Sequence, residues 1–317
     1  MDTKYIVWIT FHYMNMPKNK FDNSYIDKRL KTGLMNKNIL LPFLLSSTLL
    51  ISMCACCIYS ETNKLIITGS NTVLPIAQAC ADYFMDKNPD VDIQISGTGS
   101  SVGFVSIGEG NAHIALSSRE AKKKEIEKYP SLTKYPVAYD GIAIILHPSN
   151  KINSLTIEQL RGIYNGTIRN WKVLGGEDRT IIVYSRDSAS GTREFFKGYV
   201  MKNESFLQPL YEKNSHSAIR QAVSQTPAAI GYVGLGYLDK SIKVVSIINK
   251  YSNSTYPEDG VLPSRETIRN GSYPLSRGLY FYTMGNASAL AKEYIEFVLS
   301  DIGQEIVEKE GFVKLFR

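Results

Sequence analysis

Residues 180–200 read TIIVYSRDSASGTREFFKGYV: an apolar β-like run over 180–184, a turn of small hydroxyl residues and arginine over 185–193, and a helix-like run over 194–200. A strand feeding a helix through such a turn is the repeating unit of a parallel α/β sheet. The turn also carries chemistry. Ser190, Gly191 and Thr192 open the helix, where backbone N–H groups lack intrahelical partners and the positive end of the helix dipole faces outward. Arg186 adds a fork of donors. An ordinary Ser/Gly N-cap uses the same residues, so this stretch alone leaves an anion site and a plain cap both open.

Further turns of the same kind favour the anion site. GSNTVLP (69–75) follows the apolar run 65–68 and precedes an amphipathic segment over 76–87, GTGSSVG (97–103) follows 91–96, and LSSRE (116–120) follows 113–115. Several helix N-termini converging on one anion is the arrangement expected at the carboxyl ends of strands in an α/β sheet. The pattern predicts strands near 65–68, 91–95, 113–116, 137–146, 180–184, 228–232 and 279–283, and helices near 75–87, 157–164, 194–200, 217–224, 287–299 and 302–309. The long run 137–146, closed by His147 and Pro148, reads as a strand passing from one lobe to another. A return crossing near 249–257 makes the lobes discontinuous, 63–143 with 250–317 against 144–249, with a hinge and a cleft between them.

The 317 residues carry a formal net charge of +6. Residues 1–38 hold seven Lys/Arg against three Asp, so most of the excess lies there and the remainder is nearly balanced, which excludes a nucleic-acid reading based on charge. Residues 39–59 contain no charge and are long enough to cross a bilayer, so 39–60 is a signal or membrane-anchor segment. Met35-Asn36-Lys37-Asn38 forms a short basic region before it, so Met35 is the expected true start and 1–38 an N-terminal extension. Cys54, Cys56 and Cys57 cluster at the exit of the apolar segment, where lipidation of Cys56 competes with an uncleaved anchor or plain processing. Cys80 stands apart and reads as a core residue of the first helix. Asn165, Asn203, Asn253, Asn270 and Asn286 head Asn-X-Ser/Thr sequons, which fits an external surface open to glycosylation.

With the turns in place, three longer stretches stand out: YDGIAIILHPSN (139–150), LTIEQLRGIYNGTIRNWKVLGG (155–176) and AAIGYVGLGYL (228–238). Through them and the turns, the chain over residues 64–313 resembles the phosphate-binding proteins of ATP-driven (ABC) phosphate importers, members of the periplasmic-type solute-binding family. The resemblance implies an α/β, two-lobed periplasmic-binding-protein fold of type II, its discontinuous lobes joined by a crossing-strand hinge. It implies inorganic phosphate as ligand, permease subunits as membrane partner, a monomer without cofactor or metal, and a place on the outer face of the cytoplasmic membrane. Carried over by position, the phosphate contacts fall on Thr72, Val73, Ser100, Arg186, Ser190, Gly191 and Thr192, with Ser70 and Leu74 as neighbours if the first turn aligns one residue either way. Two departures matter. Well-known members have an Asp where this chain has Ser118, and that carboxylate accepts the proton of hydrogen phosphate and so helps to exclude sulfate. Asp140, on the crossing strand, is the candidate replacement, the alternative being an Asp that only orders the hinge. Ser188 stands where the family has an Asp that pairs the binding arginine, and Asp187 is the candidate substitute.

Other function classes fare worse. A hydrolase using Ser190 or Ser100 needs a base in reach, and His12, His113, His147 and His216 lie outside the turns without triad or metal-ligand spacing. GTGSSVGF lacks the Lys-Ser/Thr of a nucleotide-binding P-loop. The remaining rivals share the fold: a binder of sulfate, molybdate or tungstate, or a phosphate sensor. The expected start at Met35 has its own check: mass spectrometry of the native protein should return no peptide from residues 1–34, and finding one would overturn it.

Overall fold

The computed structural model describes residues 63–249 and 260–315. Strand β1 (Lys64–Gly69) leads to helix α1 (Leu74–Lys87), β2 (Asp92–Gly97) to α2 (Ser100–Gly108), and β3 (Ile114–Ser117) to the short α3 (Lys123–Lys128). The long β4 (Leu132–Leu146) follows, then β5 (Ser154–Thr156) and α4 (Ile157–Asn165). Next come β6 (Ile182–Arg186), α5 (Gly191–Tyr199), β7 (Tyr211–Lys213), α6 (His216–Ser224), β8 (Ala229–Gly234) and β9 (Lys243–Ile248). Helix α7 (Arg265–Arg269), strand β10 (Ser276–Met284) and helices α8 (Ala289–Leu299) and α9 (Asp301–Lys309) close the described chain. Each strand expected from the sequence is present. The elements outside the expected ranges are α2, which the 97–103 turn only announces, the short α3, β5, β7 and α7, and the six-residue β9, whose apolar run KVVSII lacks the alternation that marks a strand.

Two lobes form around β4. Its first part, up to Gly141, runs antiparallel to β10 in a sheet of order β2-β1-β3-β10-β4, in which β1 is parallel to β2 and β3. From Ile142 it pairs instead with β8 and β9, while β6 lies parallel to β8 on the far side. The strand therefore changes lobes at Gly141–Ile142, within the long run 137–146 expected to cross between them. Every residue of β3 and β8 is buried, the pattern of strands covered on both faces. One core gathers Leu65, Ile67, Phe281, Tyr294 and Val298, with Cys80 inside it and its thiol pushed up to about 12 by burial. The second gathers Ile144, Leu160, Tyr164, Trp171, Phe196 and Tyr232.

Residues 260–275, expected in the first lobe, pack with the second core. Val261 bridges to Ile247, and Ile268, Tyr273 and Leu275 are buried in that cluster. Tyr273 donates its hydroxyl to Ile142 O at 2.7 Å, and Ile142 N–H donates to Leu275 O at 2.9 Å. The expected crossing at 249–257 falls mainly outside the described residues. The apolar segment 39–59, its cysteines and Asn253 also lie outside them. Among the described residues no helix is long and apolar enough to cross a membrane.

Local chemistry sets the helix ends that face the cleft. Thr156 and Gln159 form a reciprocal capping box on α4, closed by Gly166 in the left-handed region. Ser190 caps α5 by accepting from Arg193 N–H, so the plain-cap reading of the opening stretch is also realised. At the end of β1, Gly69 has φ +135°, and a Cβ there would lie 2.3 Å from Leu116 O. Only glycine lets β1 turn this close to β3. Gly69→Ala should therefore destabilise the protein by about 2–4 kcal/mol. Urea unfolding checks it: a lower midpoint at unchanged slope is expected, and an unshifted midpoint would show the turn to be tolerant.

Candidate functional site

The hydroxyl-bearing turns meet where the carboxyl ends of β1, β2, β3 and β6 converge. In the first turn Ser70 N–H donates to Leu116 O at 2.9 Å, and Ser70 Oγ accepts from Thr72 N–H at 3.2 Å. Val73 N–H and Leu74 N–H both donate to Ser70 O, at 3.2 and 3.0 Å, and the Val73 side chain is fully buried in the first core. Structure thus commits the Val73 amide to the turn itself. Ser100 opens α2, and its Oγ accepts from Ser118 N–H at 3.2 Å with the two hydroxyls 3.4 Å apart.

The second-lobe turn closes against these groups. Ser101 N–H donates to Ala189 O at 3.3 Å, and Thr72 Oγ1 lies 3.0 Å from Thr192 Oγ1. A Cβ on Gly191 would sit 2.2 Å from Ser100 Oγ and 2.7 Å from Ser118 Oγ, so the approach needs glycine. Further out, Lys122 pairs with Glu194, and Asn71 Nδ2 donates to Asn214 O at 3.1 Å. Ser100, Ser118 and Thr192 are fully buried, Thr72 and Ser190 nearly so.

Arg186 ends β6 at 1% exposure. Its N–H donates to the Tyr232 hydroxyl at 3.3 Å, and that phenol is fixed by Ser185 at 2.7 Å and by stacking on Phe196 at 4.4 Å. The guanidinium donates through Nη2 to Asn214 O at 2.9 Å and lies 3.6 Å from Asp187 Oδ2. Its Nε and Nη1 have no hydrogen-bond partner within the protein. Burial lowers the Arg186 pKa, with the Asp187 carboxylate opposing. Buried donors of this kind cost free energy unless something accepts from them, so the geometry calls for an anion. Asp187 thus stands beside the arginine, and Ser188 does not enter this contact.

Asp140 is fully buried, and its carboxylate faces an arginine that sequence reading had not singled out. Arg277, on β10, donates to Asp140 Oδ2 through Nε at 3.1 Å and Nη2 at 2.7 Å, while Asp140 Oδ1 accepts from Leu235 N–H at 2.9 Å. Both oxygens are engaged, so Asp140 reaches the cluster through Arg277. The same guanidinium donates through Nη1 to Thr192 Oγ1 at 2.9 Å and Ser118 O at 3.2 Å, and through Nη2 to Thr72 Oγ1 at 3.4 Å. A signal existed: Arg277 and Asp140 are charges set inside otherwise apolar strand runs, and buried charges come paired.

His216 joins Arg277 at this cluster. Placed outside the turns by sequence, it opens α6 fully buried, with Nε2 2.7 Å from Thr72 Oγ1 and 3.5 Å from Thr192 Oγ1. Burial first, then the Arg186 and Arg277 charges, pull its pKa well below the ordinary histidine value. The ring is therefore neutral at neutral pH. Nothing in its local sequence, a histidine one residue after the N-cap Ser215, marks it out.

The PBP superfamily domain matches residues 59–301. Phosphate-binding protein PstS of Bacillus subtilis is 32% identical over 296 residues, covering 88% of this chain and 95% of the relative. That of Borreliella burgdorferi is 34% identical over 292 residues, covering 88% and 99%. Among solved structures, a substrate-binding protein assigned to phosphate ABC transport in Clostridium perfringens, crystallised with bound phosphate, is 37% identical with a TM-score of 0.74 over 80% of this chain and all of its own. An ABC-type phosphate transport receptor from Vibrio cholerae is 30% identical with a TM-score of 0.66, over 79% of this chain and all of its own. The matched domain, the shared two-lobe architecture and relatives of this identity over nearly their whole length agree: the chain belongs to the PBP superfamily and, within it, to the family of phosphate-binding proteins.

Proposed function

We propose that this chain captures inorganic phosphate between its lobes and delivers it to the permease subunits of an ABC importer at the outer face of the cytoplasmic membrane. It acts there as a monomer, held by the apolar segment 39–59 or by a lipid on Cys56. The observation that carries the reading is Arg186, nearly fully buried with its Nε and Nη1 lacking any partner among the described residues. The lobe boundaries that the pairing supports are Gly141–Ile142 and Leu275–Ser276, in place of the expected 143–144 and 249–250.

Burying a phosphate dianion forfeits tens of kcal/mol of solvation, whereas each charge-assisted hydrogen bond returns roughly 1.5–3 kcal/mol. A dry site thus needs many donors held in place before the ligand arrives. Arg186 Nε and Nη1, the hydroxyls of Ser100, Ser190 and Thr192, the last backed by Thr72, and the amides at the start of α5 supply them. Closing the lobes excludes water and strengthens each bond, so affinity depends on closure and release on reopening.

Asp140 orients Arg277 in this scheme, and the ligand proton goes to the Ser118 side, where Ser118 Oγ lies 3.4 Å from Ser100 Oγ. Enzymatic turnover is disfavoured by the same contacts. His216 reaches Thr72 and Thr192 rather than Ser190 or Ser100, and its Nδ1 lone pair already accepts from Gly234 N–H.

Thermal-shift measurements with phosphate, arsenate, sulfate, molybdate and tungstate test the ligand. Phosphate and arsenate should stabilise the protein, and stabilisation by molybdate without phosphate would replace the reading with a different oxyanion. Arg186→Ala should lose at least about 2 kcal/mol of phosphate binding, roughly 30-fold, by calorimetry. Near-wild-type affinity would reduce the turn to a cap. Gly191→Ala should leave the unfolding midpoint of the free protein close to wild type while weakening phosphate at least about tenfold, because the added methyl props the lobes apart. Unchanged affinity would show that closure does not bring Gly191 against Ser100.

A further inference from the structure

His216 holds a place from which it sets the direction of hydrogen bonds rather than making one to a ligand. Gly234 N–H donates to Nδ1 at 3.3 Å, which fixes that nitrogen as the acceptor. The proton of the neutral ring is therefore on Nε2, and the 2.7 Å contact is a bond donated to Thr72 Oγ1. Thr72 Oγ1 also receives Arg277 Nη2 at 3.4 Å, so both its lone pairs are claimed. Its own proton goes to Thr192 Oγ1, 3.0 Å away. Thr192 Oγ1 already receives Arg277 Nη1 at 2.9 Å, and with the Thr72 proton it too has no lone pair left. The Thr192 proton cannot return to Thr72 or to the protonated Nε2, so it points into the cleft.

We propose that His216 is a positioning residue that locks the Thr72–Thr192 hydroxyl chain in one direction, so that this wall only donates and selects the dianionic state of the bound phosphate. The inference rests on the reading of the cleft as a phosphate site. A ligand proton facing Thr192 would meet another proton, so dihydrogen phosphate, which needs an acceptor for each of its two protons, is disfavoured. Without the imidazole the chain can reverse, and a threonine oxygen becomes free to accept. The other charged and titratable groups facing the ring are Arg186 from β6, Arg277 from β10 with Asp140 of β4 behind it, and Tyr237, whose ring lies 4.6 Å away and whose phenol is pushed up to about 12 by burial. The expected pH dependence comes from the ligand, and sulfate, which does not titrate between pH 5 and 8, is the control.

The test is calorimetry of phosphate and sulfate binding at pH 5 to 8 with wild type, His216→Phe and His216→Gln, the fold of each checked by circular dichroism. Wild type should lose phosphate affinity steeply as pH falls. His216→Phe should bind phosphate about tenfold more weakly at pH 8 and about as well as wild type at pH 5, a flattened profile, with sulfate weakened equally at every pH. His216→Gln, which restores an amide donor, should recover the steep profile. Parallel profiles for wild type and His216→Phe would overturn the proposal, whereas a wild type that binds no phosphate at any pH would overturn the phosphate reading itself. Nitrogen-15 NMR of the wild-type imidazole gives a check that needs no variant. A neutral ring protonated at Nε2 at pH 8 is expected, and a ring protonated there at Nδ1 or at both nitrogens would overturn the proposal.

Discussion

Arg277 commits every nitrogen of its guanidinium to the protein, and the rest of the site hangs on that commitment. Two bonds hold the Asp140 carboxylate on the crossing strand, and the remaining directions reach Ser118 O and Thr72 in one lobe and Thr192 in the other. The pair is almost wholly buried. A buried ion pair is weak evidence for stability, because desolvation offsets most of the attraction, but removing one partner strands a charge and costs about 3–5 kcal/mol. Its value here lies in geometry: it ties the strand that joins the lobes to hydroxyls on both walls.

Arg186 is the complementary case. Its neighbours engage one side of the guanidinium and leave two buried nitrogens without partners among the described residues, a cost that an acceptor in the cleft offsets. Two arginines so close would repel, and each is accompanied by a carboxylate, Asp140 for Arg277 and Asp187 for Arg186. One guanidinium is thus fully engaged by the protein and the other keeps two nitrogens unengaged among the described residues, a division set by what each fold position puts within reach.

The hydroxyls show the same logic on a smaller scale. Ser190 Oγ accepts from Arg193 N–H, Ser100 Oγ from Ser118 N–H, and Thr72 and Thr192 from the imidazole and Arg277. Each lone pair claimed inside the protein leaves fewer directions open to the hydroxyl proton, and that of Thr72 is passed on to Thr192. Donors are therefore prepared before closure, so little reorganisation remains when the anion arrives.

Strand-turn-helix units were legible because they are local: the glycine at the end of β1, the cap at Ser190 and the apolar run of β4 each act within a few residues of themselves. Ser100, Ser118, Arg186, Ser190, Gly191 and Thr192 could be named as candidates for that reason and pointed to an α/β sheet and an anion, whereas the two-lobed fold and phosphate rested on the resemblance carried by 139–150, 155–176 and 228–238. Arg277 and His216 could not be placed this way. Arg277 lies 137 residues from Asp140 in sequence, and His216 lies 144 residues from Thr72. Their roles depend on which lone pairs and protons face them across the closed cleft, and that pairing exists only once the sheets have brought distant strand ends together. Local sequence decided that this wall would carry hydroxyls and positive charge; long-range packing decided which of those groups are used up by the protein and which are left to bind, because a hydrogen-bonding group has few partners and spends them on whatever the fold puts within reach.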